Sequence, residues 1–452
     1  MTKLTRRNLL LTGAAAAGLA SCGRPGEQVS SPLKAGAQPP TRGKGLFGEI
    51  FGYGVRQEAN SLTADSDDVR MYREAVGWMK ERSEKNVLDP MGWAQHWAHH
   101  SLFCATNTFT YQVHYGWYFL PWHRAYLVNL EQKIRRILNE PAFALPFWDW
   151  TRNNKIPDWF FGDDNPLNNT TRLQQPGARV PNDFIHPDGS LQAKRFDHFG
   201  GRERIPGELQ VEGTMEQSIH NCVHNWIGGE MASFDGAGND TIFQSHHGQI
   251  DRIWDIWLRQ GGGRANPTTE SWLEHPFWFY GWEGAPEPVK VKDLLDTKAL
   301  GYDFADYDIS PTLTEETMPV FDGDSIDFGV IDPNDELLAQ INAVSNGAEG
   351  RVSLVYERLS LPMHPFHHRL FFIDEATGDA TYVSTQTILP IPDLNRGLER
   401  EVSSQVQVPP HAVDAILNSG RIRVVGVPVP LEGRSIPLEP VPFKGVSLTV
   451  EA

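Results

Sequence analysis

The stretch His220-Asn221-Cys222-Val223-His224-Asn225-Trp226-Ile227, closed by Gly228-Gly229, sets two imidazoles four residues apart in a short helical segment. On a helix, positions i and i+4 share a face, so both rings can reach one ion. Spacing alone does not separate an ion site from two packing histidines. Asn221 rather than Glu follows His220, which removes the His-Glu-x-x-His arrangement of zinc proteases. Downstream, His246-His247-Gly248-Gln249-Ile250-Asp251 brings a third imidazole on a helix expected from about Ser245 to Arg259, stopped by Gly261-Gly262-Gly263. Asp251, one turn beyond His247, reads as the carboxylate that orients a ligand ring.

Working back, His96, His99, His100, His114 and His123 form a second group. From His123 to Leu138 apolar residues recur at i, i+3, i+4 and i+7, with Pro121 ahead and Pro141 beyond, so a helix is expected there. Tyr115, Trp117, Tyr118, Phe119 and Trp122 surround the two later histidines and would wall off a pocket. Two imidazole clusters favour copper, zinc or iron over calcium or magnesium. A paired tri-histidine arrangement favours copper that binds dioxygen.

The rest of the chain sets limits. Its 452 residues, 40% hydrophobic and 21% charged, suit a globular protein of two or three domains. A net charge of −17, with no basic run beyond the first residues, argues against nucleic acid as a partner. No apolar stretch after the N-terminus approaches the roughly 18 to 20 residues of a membrane span. Residues 1–21 carry Arg6-Arg7 before an Ala-rich run, and Leu19-Ala20-Ser21-Cys22 ends it. This resembles a twin-arginine export signal with a lipid acceptor at Cys22, placing the protein in the periplasm or cell envelope, anchored to membrane only through that lipid. Residues 22–45 read as a flexible tether and 46–310 as the histidine-bearing domain. Residues 261–310 are expected to be mostly irregular and 311–350 to be a linker. From 351 to 452, period-two runs at Arg351–Glu357, Arg369–Asp374, Arg421–Val427 and Val446–Val450 predict an antiparallel β-sandwich. His364, His367 and His368 in this tail are expected to be strand or loop residues. Three cysteines cannot build a disulfide framework.

With these residues in view, the chain resembles a known family. His123-Arg124-Ala125-Tyr126-Leu127 behind Phe119-Leu120-Pro121-Trp122, His220 to Met231, and Asn239-Asp240 through His246-His247 to Asp251-Arg252 are similar, in order and spacing, to the type 3 copper proteins of the tyrosinase and polyphenol oxidase family. Thr241 departs from the family's usual Pro after Asp240, which should alter a turn rather than a ligand. The resemblance implies a mainly α dicopper domain with a four-helix-bundle core and long loops. One copper would be held by His220, His224 and His247. The other would be held by His114, His123 and one of His96, His99 and His100; spacing to Cys104 selects His100, while register to Gln95 selects His99. A thioether between Cys104 and His114 is implied by the plant-type members. Cys222, between two ligands, reads as a small buried hydrophobe.

The implied cofactors are two copper ions, with O2 as co-substrate and small phenols as substrates. The implied activity is oxidation of o-diphenols to o-quinones together with monophenol hydroxylation. Hydroxylation needs a base near copper, and the resemblance assigns it to Glu212 with Asn221. Phe234, three residues after Met231, resembles the bulky gate of plant catechol oxidases and favours diphenol oxidation alone. An o-aminophenol oxidase and, more remotely, a dioxygen carrier like hemocyanin use the same ligands. The tail resembles a domain that keeps such enzymes latent, so cleavage between about 310 and 350 is expected to raise activity.

Overall fold

Helix α1 (Asp67–Lys85) begins with Asp67 and Asp68 and ends with Arg82 and Lys85, so both ends complement the helix dipole. Val69, Tyr72, Val76 and Met79, three and four apart, form its buried face. Helix α2 (Trp93–Cys104) carries His96, His99 and His100. Helix α3 (Phe119–Leu138) is buried on almost every side, and Asn139 ends it in the left-handed conformation at φ 54°. Pro121 lies inside its first turn, where a missing N–H costs nothing, so the helix starts two residues before the proline. Helix α4 (Asn221–Ile227) continues a π-helical turn, Met215–His220. It stops at Gly228, φ 73°, where a side chain would meet Leu173 at 2.4 Å. Helix α5 (Ile242–Arg259) is apolar along one face and packs on α3.

This computed structural model describes residues 47–105, 112–205, 212–281, 284–310, 314, 317–322, 324–348, 350–358, 366–388, 402–429 and 443–451. The export signal, the tether with Cys22, and His364 lie outside the described residues. No helix among the described residues is long and apolar enough to cross a membrane.

Charged side chains inside the bundle are paired. Arg56 on strand β1 (Gly54–Arg56) bonds Glu131 at 3.1 Å and Asp251 at 2.9 Å, and Arg124 bonds Asp251 at 2.6 Å and Asp255 at 2.9 Å. Such groups are tolerated in a core only with these partners. The region expected to be irregular holds a hairpin, β2 (Pro276–Tyr280) with β3 (Pro286–Lys290), and β4 (Tyr302–Phe304) paired in parallel with β1. Prolines at alternate β3 positions hid it; a two-stranded edge tolerates their missing donors.

The β domain has two antiparallel sheets. One has the order β5 (Ile326–Ile331), β10 (Ile422–Val429), β7 (Phe366–Asp374), β8 (Ala380–Ile388). The other has the order β11 (Phe443–Glu451), β6 (Arg351–Arg358), β9 (Val402–Gln407). Val352 and Leu354 from one sheet meet Leu370, Phe372 and Val424 from the other, and helices α6 (Asp335–Ser345) and α7 (Pro410–Ser419) add Ile341 and Ile416. The expected 311–350 linker is therefore corrected. It contains β5 and α6, whose Phe328, Ile331 and Ile341 enter this core, because the domain needs an edge strand and a helix to cover its sheet.

Period-two alternation turns His367, Arg369 and Phe371 of β7 away from that core. There β7 and β8 meet the helical domain. Arg369 Nε donates to Asp183 at 2.8 Å, the His367 ring lies 4.2 Å from that of Phe184, and the Thr387 hydroxyl donates to Cys222 Sγ at 3.0 Å.

Candidate metal centre

His100, Cys104, His114 and His123 come together with ligand-type atoms all within 4.8 Å of one another, and His220, His224, His246 and His247 form a second such group. All eight side chains are buried. His99 and His100 are neighbours on α2 and point apart. The His100 ring lies 5.7 Å from that of His123, whereas His99 packs on Phe279 at 4.8 Å. His96 stacks on Tyr126 at 4.2 Å. Register on the helix thus leaves His100 as the member of the trio that faces the cluster.

Hydrogen bonds at Nδ1 fix four of the rings. His114 Nδ1 bonds Glu216 Oε1 at 2.7 Å, His123 Nδ1 the Phe119 carbonyl at 2.8 Å, His220 Nδ1 Asn221 Oδ1 at 3.0 Å and His224 Nδ1 the Met231 carbonyl at 2.8 Å. An acceptor at Nδ1 sets the tautomer that leaves the Nε2 lone pair free for a metal. The Nε2 atoms of His114, His123 and His220 are buried and meet no partner among the described residues. His224 Nε2 and His247 Nε2 face each other at 3.1 Å, two nitrogens whose natural third party is a cation. Burial holds His114 and His224 down to about 3 and the remaining imidazoles well below their usual value, so all are neutral donors. The donor set fits two soft or borderline ions such as copper.

Between the adjacent pair, His246 Nδ1 already accepts from Trp150 Nε1 at 3.3 Å. The His247 ring instead lies parallel to His123 at 4.3 Å, between the two groups. Thr241 uses its hydroxyl to bond the Leu167 carbonyl at 2.6 Å, a turn anchor that the family's proline could not supply.

Three expectations change. Asp251 does not touch His247; its carboxylate accepts from Arg56, Arg124 and the Tyr302 hydroxyl, because those buried cations claim it. Glu212 lies half-buried in the loop before the π turn, and the carboxylate that meets a cluster imidazole is that of Glu216. Both Glu216 oxygens also accept from the Tyr115 N–H, at 2.9 and 3.1 Å, holding Tyr115 at φ 64°. Burial pushes the Glu216 carboxyl up to about 8. Its signal was in the sequence, four residues before His220 and so one turn below it. Finally, Asn221, expected with Glu212 to hold the base, sets its Oδ1 3.0 Å from His220 Nδ1 and so also orients that ring. Gln112 was also missed: it bridges Cys104 O (2.8 Å) and His114 N (2.9 Å), tying His114 to the end of α2. Phe234 sets its ring 4.6 Å from His114, and with Met231 and Ala237 it bounds a cavity of about 10 Å³. That is about the room one water needs.

The common central domain of tyrosinase matches residues 90–208 and 194–260, and the polyphenol oxidase middle domain matches residues 266–313. Residues 90–260 and 266–313 thus carry tyrosinase- and polyphenol-oxidase-type domains. Polyphenol oxidase E, chloroplastic, of Solanum lycopersicum is 31% identical over 283 residues, 54% of this chain and 47% of that protein. Catechol oxidase B, chloroplastic, of Solanum tuberosum shows the same identity and coverage. The chain spans about half the length of these curated relatives. Among solved structures, latent apple tyrosinase superposes with a TM-score of 0.70 at 22% identity, covering 89% of this chain and 98% of that one. A functional unit of octopus hemocyanin gives 0.56 at 16% identity, covering 88% and 99%. These similarities establish the fold: a helical dicopper-type domain followed by antiparallel sheets.

Proposed function

We propose that the chain is a copper-dependent polyphenol oxidase that converts o-diphenols to o-quinones with O2, and that the β domain holds it latent. The observation that carries the activity is the convergence of His100, His114 and His123 with His220, His224 and His247 in a buried, neutral pocket, where Nε2 of His114, His123 and His220 meets no partner among the described residues and Nε2 of His224 faces that of His247. Bound copper would supply dioxygen binding and electron transfer. Two diphenols lose two electrons and two protons each, and O2 becomes two waters. The chain's own groups orient and exclude: Glu216, Asn221 and the Phe119 and Met231 carbonyls lock the imidazoles, while Phe234 restricts entry.

Glu216 is the carboxyl that meets the cluster; burial raises it to about 8, so it would take a phenolic proton in its ionised form, toward alkaline pH, with monophenol hydroxylation as a second activity. Latency is supported by β8 lying on the helix that carries His224, by the small cavity, and by similarity over 89% of the chain to latent apple tyrosinase. Residues 1–21 are read as a targeting segment with Cys22 as a lipid site, which intact mass of the mature protein checks.

The test is oxygen uptake by copper-loaded protein with a monophenol and the matching o-diphenol, before and after limited proteolysis. Quinone from the diphenol supports the proposal, and uptake on both substrates adds the hydroxylase activity. Reversible O2 binding without quinone would instead identify a carrier, and preferential turnover of an o-aminophenol would redirect the substrate class.

A further inference from the structure

A cavity of about 210 Å³ lies at the seam between the helical domain and the β domain. This exceeds the roughly 10–15 Å³ needed for one water more than tenfold, room for about a dozen non-hydrogen atoms. Gly189, Ser190, Thr214 and Gln217 line it from one side, Tyr382 and Gln386 from the other. No Lys or Arg is among its lining residues, and its carboxylate, Asp183, is already engaged by Arg369 and Thr385. His186 and His411 also line it, but an imidazole is charged only when protonated, so no permanent counter-charge is left for an ion.

What the lining does offer is neutral hydrogen-bonding capacity beside aromatic faces. Ser190 Oγ, Thr214 Oγ1 and Gln386 Oε1 are buried without a hydrogen-bond partner among the described residues, although buried polar atoms normally have one. The rings of Phe184 and Tyr382 complete the wall. Hydroxyl edges for the amide and hydroxyls, with C–H faces for the rings, describe a sugar or polyol.

We propose that the seam cavity binds a neutral polyhydroxylated molecule of monosaccharide size, and that its occupancy favours the docked β domain. Because both domains build the walls, only the docked state binds, so ligand shifts the population toward it. Thr214 caps the π turn ending at His220 and Gln217 lies within it, so an occupant braces the segment that positions Glu216. The regulatory half of the proposal rests on the latency reading; the binding half does not.

The experiment titrates copper-loaded full-length chain with myo-inositol and with D-glucose, reading binding by calorimetry and quinone formation in parallel. Gly189→Trp fills the cavity from a position where a built Cβ meets nothing within 4 Å. Gln386→Leu keeps volume and removes the amide. Saturable binding by the wild type, weakened at least tenfold in both folded variants, is expected. At ten times Kd the open population, read as the rate, falls about elevenfold. General exclusion of sugars from protein surface would neither saturate nor distinguish the variants. No saturable binding of either probe, or binding in both variants as tight as in the wild type, overturns the site. Variant-sensitive binding with an unchanged rate supports the site and overturns latency.

Discussion

Replacing Asp183 with Ala tests the seam directly. The Asp183 carboxylate accepts from Arg369 Nε at 2.8 Å, Arg369 Nη2 at 3.3 Å and Thr385 Oγ1 at 2.7 Å, tying the 182–184 turn to β7 and β8. Hydrogen bonds to charged groups contribute about 1.5–3 kcal/mol each. Arg369 is 28% exposed and can turn to water, and Thr385 Oγ1 keeps the Tyr382 hydroxyl at 2.9 Å, so the low end applies. Because water and the Tyr382 hydroxyl replace most of what is lost, the three bonds together are taken at about the value of one, roughly 2 kcal/mol, which multiplies the ratio of open to docked chains about 30-fold, since each 1.4 kcal/mol is tenfold. Asp183 contacts no cluster imidazole, so the intrinsic rate of the open form should not change. Initial quinone formation from an o-diphenol should therefore rise about 30-fold, or to the level of tail-cleaved protein if that is reached first. Limited proteolysis run alongside reports release of the β domain. If the tail is cleaved faster while the rate stays at the wild-type value, docking does not limit access and latency through this seam is refuted.

Copper content after single substitution discriminates the adjacent histidines: His247→Ala should lose one of two ions, whereas His246→Ala, already bonded through Trp150, should retain both. Glu216→Gln should depress monophenol turnover by about 100-fold while leaving copper content unchanged, the scale of a lost general base, with equal loss on both substrates assigning it a purely orienting role. Asp251→Asn removes the charge shared by Arg56 and Arg124 and should cost about 3–5 kcal/mol in urea unfolding, with little change in ligand geometry. His367, in the seam beside Thr387, Phe184, His368 and Arg369, is held down to about 3 by burial. Its contribution to docking is present above the ordinary value near 6.5 and is lost as pH falls toward 3, at most about 5 kcal/mol. His367→Gln should flatten acid-induced release of the β domain as followed by proteolysis between those pH values.

Several elements were legible before any coordinate. The apolar periods behind α3 and α5 and the glycines after α4 mark helices whose ends move by only a few residues, because local sterics and hydrogen bonding set them. The four β runs of the tail were readable for the same reason. Strand β5 and helix α6 were not, since the 311–350 segment has weak periodicity of its own and gains order by closing the edge and face of a sheet formed by distant strands. The hairpin β2–β3 hid behind its prolines.

What the sequence determines alone is the ligand inventory: imidazoles at i and i+4 across the π turn and α4, a pair on α5, a trio on α2, with motif order and spacing enough to name a family. These are short-range relations, and a helix converts spacing into a shared face without reference to the rest of the chain. Only the tertiary structure decides that His100 rather than His99 faces the cluster, that Glu216 rather than Glu212 reaches His114, and that Asp251 serves Arg56 and Arg124 instead of His247. Each choice depends on which buried charge or orphaned nitrogen lies across a gap of tens or hundreds of residues. In a core of low polarizability, the partner that most fully satisfies a buried group wins over the one nearest in sequence.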